Sequence, residues 1–205
     1  MIDTFIILAG GKSSRIGKDK AFLKIKNNSL IQILINKITD LSENIIIVTQ
    51  NINSYSFLKH KNNKIQIVND IQSDKGVIMG LYTGLVYSKT NYNFVISCDI
   101  PFFKPDLGEY LWNLKEDYDV IIPKLFKGLE PLHAIYSKNC IMAIEKSLSE
   151  NKSRLISFHH YVKVRYVEEN EICPLDPQLI SFFNINTISD YQEAQGLIER
   201  LEKQN

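Results

Sequence analysis

Cysteine is scarce in this 205-residue chain: three residues, Cys98, Cys140 and Cys173, with no CxxC pair among them. An odd number at wide spacing argues against a zinc knuckle or a thioredoxin-type site and fits a reducing compartment. Long apolar runs are missing too. Phe5–Ala9 is too short for the hydrophobic core of a signal peptide, and Asp3 stands where a basic leader would lie. No stretch approaches the roughly 18 apolar residues of a membrane-spanning helix. An excess of one charge is also lacking. The net charge of +1 gives no electrostatic case for nucleic acid or an anionic membrane as a partner. There is no internal repeat, low-complexity tract or flexible linker. A composition of 44% hydrophobic and 23% charged residues is ordinary for a globular protein. The expectation is therefore a soluble, cytoplasmic protein with one domain over residues 1–205.

What is present is an alternation of short apolar runs and longer amphipathic ones. Thr4–Leu8, Ile45–Val48, Ile65–Val68 and Phe94–Ser97 read as buried strands of a sheet covered on both faces. Leu30, Ile31, Leu34, Ile35, Ile38 and Leu41 follow helical spacing, as do Ile78, Leu81, Leu85 and Val86. This βαβ order predicts an α/β fold with a parallel sheet and right-handed crossovers. In the second half, Leu107–Leu114 is expected to be helical after Pro105. Asp119–Pro123 is expected to be a strand ended by its proline, Leu132–Tyr136 a strand, Asn139–Leu148 a helix, and Val162–Val167 an edge strand. Ile188–Glu202 reads as a terminal helix capped by Ser189. Asn51–Asn63 and Glu168–Leu179 read as loops. His159 and His160, being adjacent, are expected at the surface with no metal role.

Strand one runs straight into Gly10-Gly11, with Gly17 further on. Glycines at the carboxyl end of a strand let the backbone turn sharply and approach a ligand. Their N–H groups can cradle phosphate oxygens, at the edge where open parallel sheets bind ligands. Leu8 and Ala9 lead into this loop. Beyond it come Ser13, Ser14, Arg15 and Lys20, within a basic stretch that on charge alone would be a solvated loop. Arg15 can grip a polyphosphate through its planar fork, and Lys20 offers a compact charge. Neither GxGxxG nor GxxxxGK[ST] is present, so a dinucleotide fingerprint and a P-loop are both excluded.

Asp99 follows the fourth strand in Ser97-Cys-Asp-Ile-Pro-Phe102. A carboxylate there, opposite a phosphate loop, is placed to hold Mg²⁺, which takes one or two carboxylates, waters and substrate phosphates. Asp70 ends the third strand, as a turn residue or as a contact to ribose, base or a metal-bound water. Glu130 and His133 are polar residues in an apolar setting. Asn184 and Asn186 alternate before the last helix, so in an extended segment both face one side.

These segments together resemble a known family. Leu8-Ala-Gly-Gly-Lys-Ser-Ser-Arg-Ile-Gly-Lys-Asp-Lys20 is similar to the signature of the molybdenum cofactor guanylyltransferases, the MobA type. They are a branch of the nucleotidyltransferase superfamily, where cytidylyl enzymes carry LAAG and a proline before the lysine. Gly10 and Asp19 follow the guanylyl pattern. CDxPF at 98–102, EPLxAxY at 130–136 and FxNxNT at 182–187 resemble the same family. Gly76-Val-Ile-Met-Gly80 departs from its GPLAG, and Val48 stands near the usual guanine-reading asparagine. The resemblance implies a Rossmann-like, mostly parallel sheet with helices on both faces, of the nucleotide-diphospho-sugar transferase type. Residues 1–100 would form the nucleotide half and 101–205 the acceptor half. It implies nucleotide binding by Leu8, Ala9, Gly10, Gly11, Lys20, Asp70 and Asp99. It further implies catalysis by Arg15, Lys20 and Asp99 with Mg²⁺ on Asp99, and an acceptor pocket of Glu130, His133, Asn184 and Asn186. The expected substrates are GTP and molybdopterin, the expected product is molybdopterin guanine dinucleotide, and the expected partners extend to cofactor-biosynthesis proteins and molybdoenzyme chaperones. Two alternatives stay open: a CTP-dependent or sugar-phosphate nucleotidyltransferase, and a non-catalytic nucleotide-binding partner.

Overall fold

The computed structural model describes residues 1–9, 20–59, 62–72 and 75–202. In chain order its strands are β1 (Thr4–Leu8), β2 (Lys24–Ile25), β3 (Asn28–Ser29), β4 (Asn44–Thr49) and β5 (Ile65–Asn69). Then come β6 (Tyr92–Ser97), β7 (Val120–Leu125), β8 (Gly128–Leu129), β9 (His133–Ser137) and β10 (Val164–Glu168). The helices are α1 (Leu30–Ile38), α2 (Ile52–Lys59), α3 (Val77–Tyr87), α4 (Pro105–Asn113), α5 (Cys140–Ser149), α6 (Glu169–Ile172) and α7 (Ile188–Glu202).

The main sheet has the order β10-β7-β9-β6-β1-β4-β5, with β8 paired to β7. β1 sits between β4 and β6, parallel to both. All five of its residues are buried, which is why it reads as an unbroken apolar run. Its side chains alternate between two cores. Phe5 and Ile7 join one with α1, α2 and α4 residues such as Leu34, Tyr55 and Leu107. Ile6 and Leu8 join the other with α3 and α5 residues such as Leu81 and Ile144. Helices therefore cover both faces. β9 alone among the seven ordered strands runs against its neighbours, β6 and β7.

Glycine at 84 permits the close approach of α3 to β1. A Cβ there would lie 2.4 Å from Ile6 Cγ2, whereas one at Gly80 would make ordinary contacts of 3.6 Å or more with Leu8. Gly84→Ala is therefore expected to destabilise the fold by about 1–3 kcal/mol through overpacking. Gly80→Ala, free of that clash, should be neutral or gain up to about 1 kcal/mol of helix propensity. Thermal melts of the two variants side by side check this; equal shifts would refute the close-approach reading.

Several sequence expectations are corrected. Residues 52–59, expected as loop, form α2, with only Tyr55 and Leu58 buried. The short α6 lies inside the expected 168–179 loop. β7 does not end at Pro123 but continues to Leu125. The carbonyl of Pro123 accepts the Glu130 N–H, so its donor-less nitrogen faces the same side. Pairing with β9 stops at Ile121 and pairing with β8 begins at Lys124, so Pro123 falls between the two ladders. The cap of α7 is Thr187 rather than Ser189. The Thr187 hydroxyl accepts the Asp190 N–H at 3.1 Å, and the Asp190 carboxylate accepts the Thr187 N–H at 2.8 Å, a reciprocal capping box. His159 is buried rather than at the surface.

Candidate active site

The carboxyl ends of β1, β4, β5 and β6 share one edge of the sheet, and Leu8, Ala9, Asp70 and Asp99, expected from the sequence to serve the site, sit along it. Beyond β1, the Ala9 N–H donates to Val48 O at 2.9 Å, and Leu8 and Ala9 are both buried. Gly10, Gly11 and Arg15, with the rest of 10–19, lie outside the described residues. Lys20 opens a short 3-10 turn whose Ala21 is anchored in the core. The β2–β3 hairpin follows. The N–H and hydroxyl of Ser29 both donate to Gln32 Oε1, which starts α1.

Three chain-distant residues converge here. Lys20 Nζ donates to Asn186 Oδ1 at 2.7 Å and lies 3.5 Å from Asp99 Oδ2. The other Asp99 oxygen accepts the Ser97 hydroxyl at 2.5 Å. The Asp99 carbonyl accepts the Ile185 N–H at 3.1 Å, which joins the end of β6 to the segment carrying Asn186. The Asn186 N–H donates to Asp190 Oδ2 at 2.8 Å. That bond is the first cause holding the Asp190 carboxyl below its usual range. Lys20 is thus parked on the side-chain amide of a residue whose backbone is held by the helix cap, with Asp99 as its second partner.

Asp70 lies on the same edge at the end of β5. Its Oδ1 accepts the hydroxyl of buried Thr83, which in turn accepts the Ile71 N–H. Three strand spacings separate β5 from β6, about 14 Å at roughly 4.8 Å each. Asp70 and Asp99 therefore cannot share an ion directly. Among the described residues no group of three His, Cys, Asp or Glu gathers as a metal cage.

On the second-half side, Glu130 is half-sequestered in the turn before β9 and pairs with Lys127 at 3.0 Å. Burial raises its carboxyl above the usual range, with Lys127 opposing. Lys127 also donates to the Phe182 carbonyl at 3.3 Å. Asn184 remains partly exposed, its amide donating to the Phe182 carbonyl at 3.4 Å.

His133, expected in the acceptor pocket, is a correction. The alternation of β9 turns its ring into the core, where it is 0% exposed. It is boxed by Phe94, Phe103 and Phe182 at ring-centroid distances of 5.4, 5.4 and 4.8 Å. Neither ring nitrogen meets the geometry of a hydrogen bond with a partner among the described residues. Burial pushes the imidazole down to about 3 against the opposing charge of Asp176. A ring enclosed in this way has no face left for an acceptor.

Sequence reasoning missed Ser97, Thr83 and Asp190, which orient Asp99, Asp70 and Asn186. Only Asp190 left a readable signal, the Thr187-x-x-Asp190 capping spacing.

Residues 5–164 match the family described as the MobA-like NTP transferase domain. A probable molybdenum cofactor guanylyltransferase of Clostridium perfringens is 37% identical over 190 residues, covering 91% of this chain and 93% of that protein. Among solved structures, molybdopterin-guanine dinucleotide biosynthesis protein A of Archaeoglobus fulgidus superposes with a TM-score of 0.83. It has 25% identity, and the match covers 96% of this chain and 99% of that one. The 4-diphosphocytidyl-2C-methyl-D-erythritol synthase of Anaerococcus prevotii superposes with a TM-score of 0.75 at 14% identity, over 97% of this chain and 96% of that one, a likeness of fold alone. Fold, sheet-edge site and sequence agree, and the chain belongs to the MobA-like NTP transferase family, within its molybdenum cofactor guanylyltransferase branch.

Proposed function

We propose that the chain transfers GMP from GTP to the terminal phosphate of molybdenum-loaded molybdopterin, giving the guanine dinucleotide form of the cofactor and pyrophosphate. The observation that carries this reading is the convergence of Lys20, Asp99 and Asn186 beside the end of β1, together with relatives named for that reaction. An oxygen of the acceptor phosphate attacks the α-phosphorus of GTP, and the bond from the α-phosphorus to the bridging oxygen breaks as pyrophosphate leaves. A phosphate monoester is largely dianionic at pH 7, its second pKa being about 6, so the attacking group needs no general base. The work of the protein is positioning and charge stabilisation. In this reading Lys20 swings its ammonium from Asn186 onto the phosphates, and Arg15, outside the described residues, assists it. Asp70 serves the nucleoside. Glu130, Asn184 and Asn186 serve the acceptor, so that 1–100 and 101–205 act as nucleotide and acceptor halves of one domain.

The donor chemistry at Asp99 fits Mg²⁺: a carboxylate outside any cluster of three or more His, Cys, Asp or Glu among the described residues suits an ion completed by waters and substrate phosphates. Bound there, Mg²⁺ would neutralise charge on the nucleotide phosphates. Among the described residues no helix is long and apolar enough to cross a membrane. We place the activity in the cytoplasm, with cofactor-biosynthesis proteins and molybdoenzyme chaperones as its partners. Calorimetry with a panel of nucleoside triphosphates and Mg²⁺ tests the substrate. GTP is expected to bind at least about tenfold more tightly than CTP, a difference of about 1.4 kcal/mol; a preference for CTP would overturn the choice. Mass analysis of the product made from GTP and loaded molybdopterin tests the reaction.

A further inference from the structure

One buried charge has no part in the chemistry described above. Asp176 is 0% exposed. Its Oδ2 accepts the Ser181 N–H at 2.8 Å, and its Oδ1 lies 2.9 Å from Lys104 Nζ, at an angle too poor for a hydrogen bond. Taking a carboxylate out of water is costly, and apolar residues of similar volume usually serve stability at least as well as a buried ion pair. What the pair adds is a tie between the two elements that carry it, one that Lys104 Nζ reinforces by donating to the Leu175 carbonyl at 3.5 Å. Lys104 closes the loop that begins at Asp99, just before α4. Asp176 opens the strap that runs through Ser181 and Ile185 to Asn186.

The two segments are tied at further points. The Ser181 hydroxyl reaches the Phe102 carbonyl at 3.5 Å, and the rings of Phe102 and Phe183 meet edge to face at 5.8 Å. The Ile185 N–H donates to the Asp99 carbonyl at 3.1 Å. At the far end Asn186 holds Lys20 at 2.7 Å. We propose that the pair of half-buried Lys104 and buried Asp176 is a positioning device for nucleotidyl transfer. It locks the Asp99 loop to the Asn186 strap and so sets the separation of Asp99 from Lys20. The inference rests on the proposed reaction, because it assigns the pair to that reaction's geometry.

The test uses the full chain with Lys104→Met, Asp176→Asn, the neutral double variant and Lys104→Arg, each at a temperature where circular dichroism shows it folded. Misplacement by an ångström can cost about 10²-fold in rate. Lys104→Met and Asp176→Asn are expected to lower kcat by about tenfold or more, with the Kd for GTP changed less than about twofold, while Lys104→Arg keeps kcat near wild type. Where a single variant fails to fold, the double variant, which buries no lone charge, is read in its place and should show the same kcat loss. Amide exchange at Ile185 should quicken in the variants without the pair and stay slow in Lys104→Arg. A lower melting temperature with kcat and Ile185 exchange unchanged would reduce the pair to a structural brace and overturn the proposal. Wild-type protein that transfers no GMP would instead sink the proposed reaction. Ile185 exchange would then still decide whether the pair locks the strap.

Discussion

Asp99→Ala is expected to lower the rate of transfer by about 10²–10³-fold, the usual loss for one preorganised charge-stabilising group, while the protein stays folded. The fold survives because Asp99 contributes to it through its backbone: the carbonyl that accepts the Ile185 N–H is kept in the variant. The side chain serves the rim. One oxygen is fixed by Ser97 and the other faces Lys20 across 3.5 Å. Lys20→Ala should cost a similar factor. The two losses should fall well short of multiplying in the double variant, since groups acting on the same phosphates behave as a unit. Steady-state rates of GMP transfer, alongside circular dichroism, check all three variants. Near-normal turnover in either single variant would remove the assignment.

Acid is expected to unfold the protein earlier than its carboxylates alone would require. His133 and His159 are both buried, and burial holds their imidazoles down at about 3 and about 4. In the unfolded chain each titrates near about 6.5. Below that value the unfolded state binds protons that the folded state refuses, so stability falls as the pH drops from 6.5 towards 4. Each group contributes about 1.4 kcal/mol per pH unit. Between pH 6.5 and 4.5 the pair removes roughly 5 kcal/mol, comparable to the whole stability of many domains. Urea titrations at a series of pH values measure the slope. His133→Leu, which keeps an apolar occupant in the Phe94–Phe103–Phe182 box, should reduce the slope by about half. An unchanged slope would show that His133 takes up its proton without unfolding.

The parallel half of the sheet was legible because β1, β4 and β6 are buried on both faces and leave nearly continuous apolar runs, while β5 at the edge keeps Ile65, Ile67 and Val68 buried. α2 was not, since Ile52–Lys59 buries only Tyr55 and Leu58 and is otherwise built of weak helix formers such as Asn and Ser. Pro123 reads as a strand end unless the neighbour on its nitrogen side is known to have stopped pairing, and that is a fact of topology. His133 shows the same limit at the site. In sequence it stands in a motif beside Glu130, but strand alternation sends its ring into the core among Phe94, Phe103 and Phe182. Lys20, Asp99 and Asn186 were identified by residue type and position. Their convergence depends on Ile185 bonding to Asp99, and no local pattern records that bond.

The central place of β1 has a consequence for how the chain is made. β1 precedes both of its neighbours in the chain, and one of them, β6, follows roughly 90 residues later, a delay of about 5–20 s at ordinary elongation rates. Until then Thr4–Leu8, an apolar segment with one open edge, has no complete shelter. Pairings this distant in sequence also close slowly once the chain is free. Thr4–Leu8 is thus a segment in need of protection from aggregation during synthesis, and a chaperone acting on the nascent chain would have a clear target there.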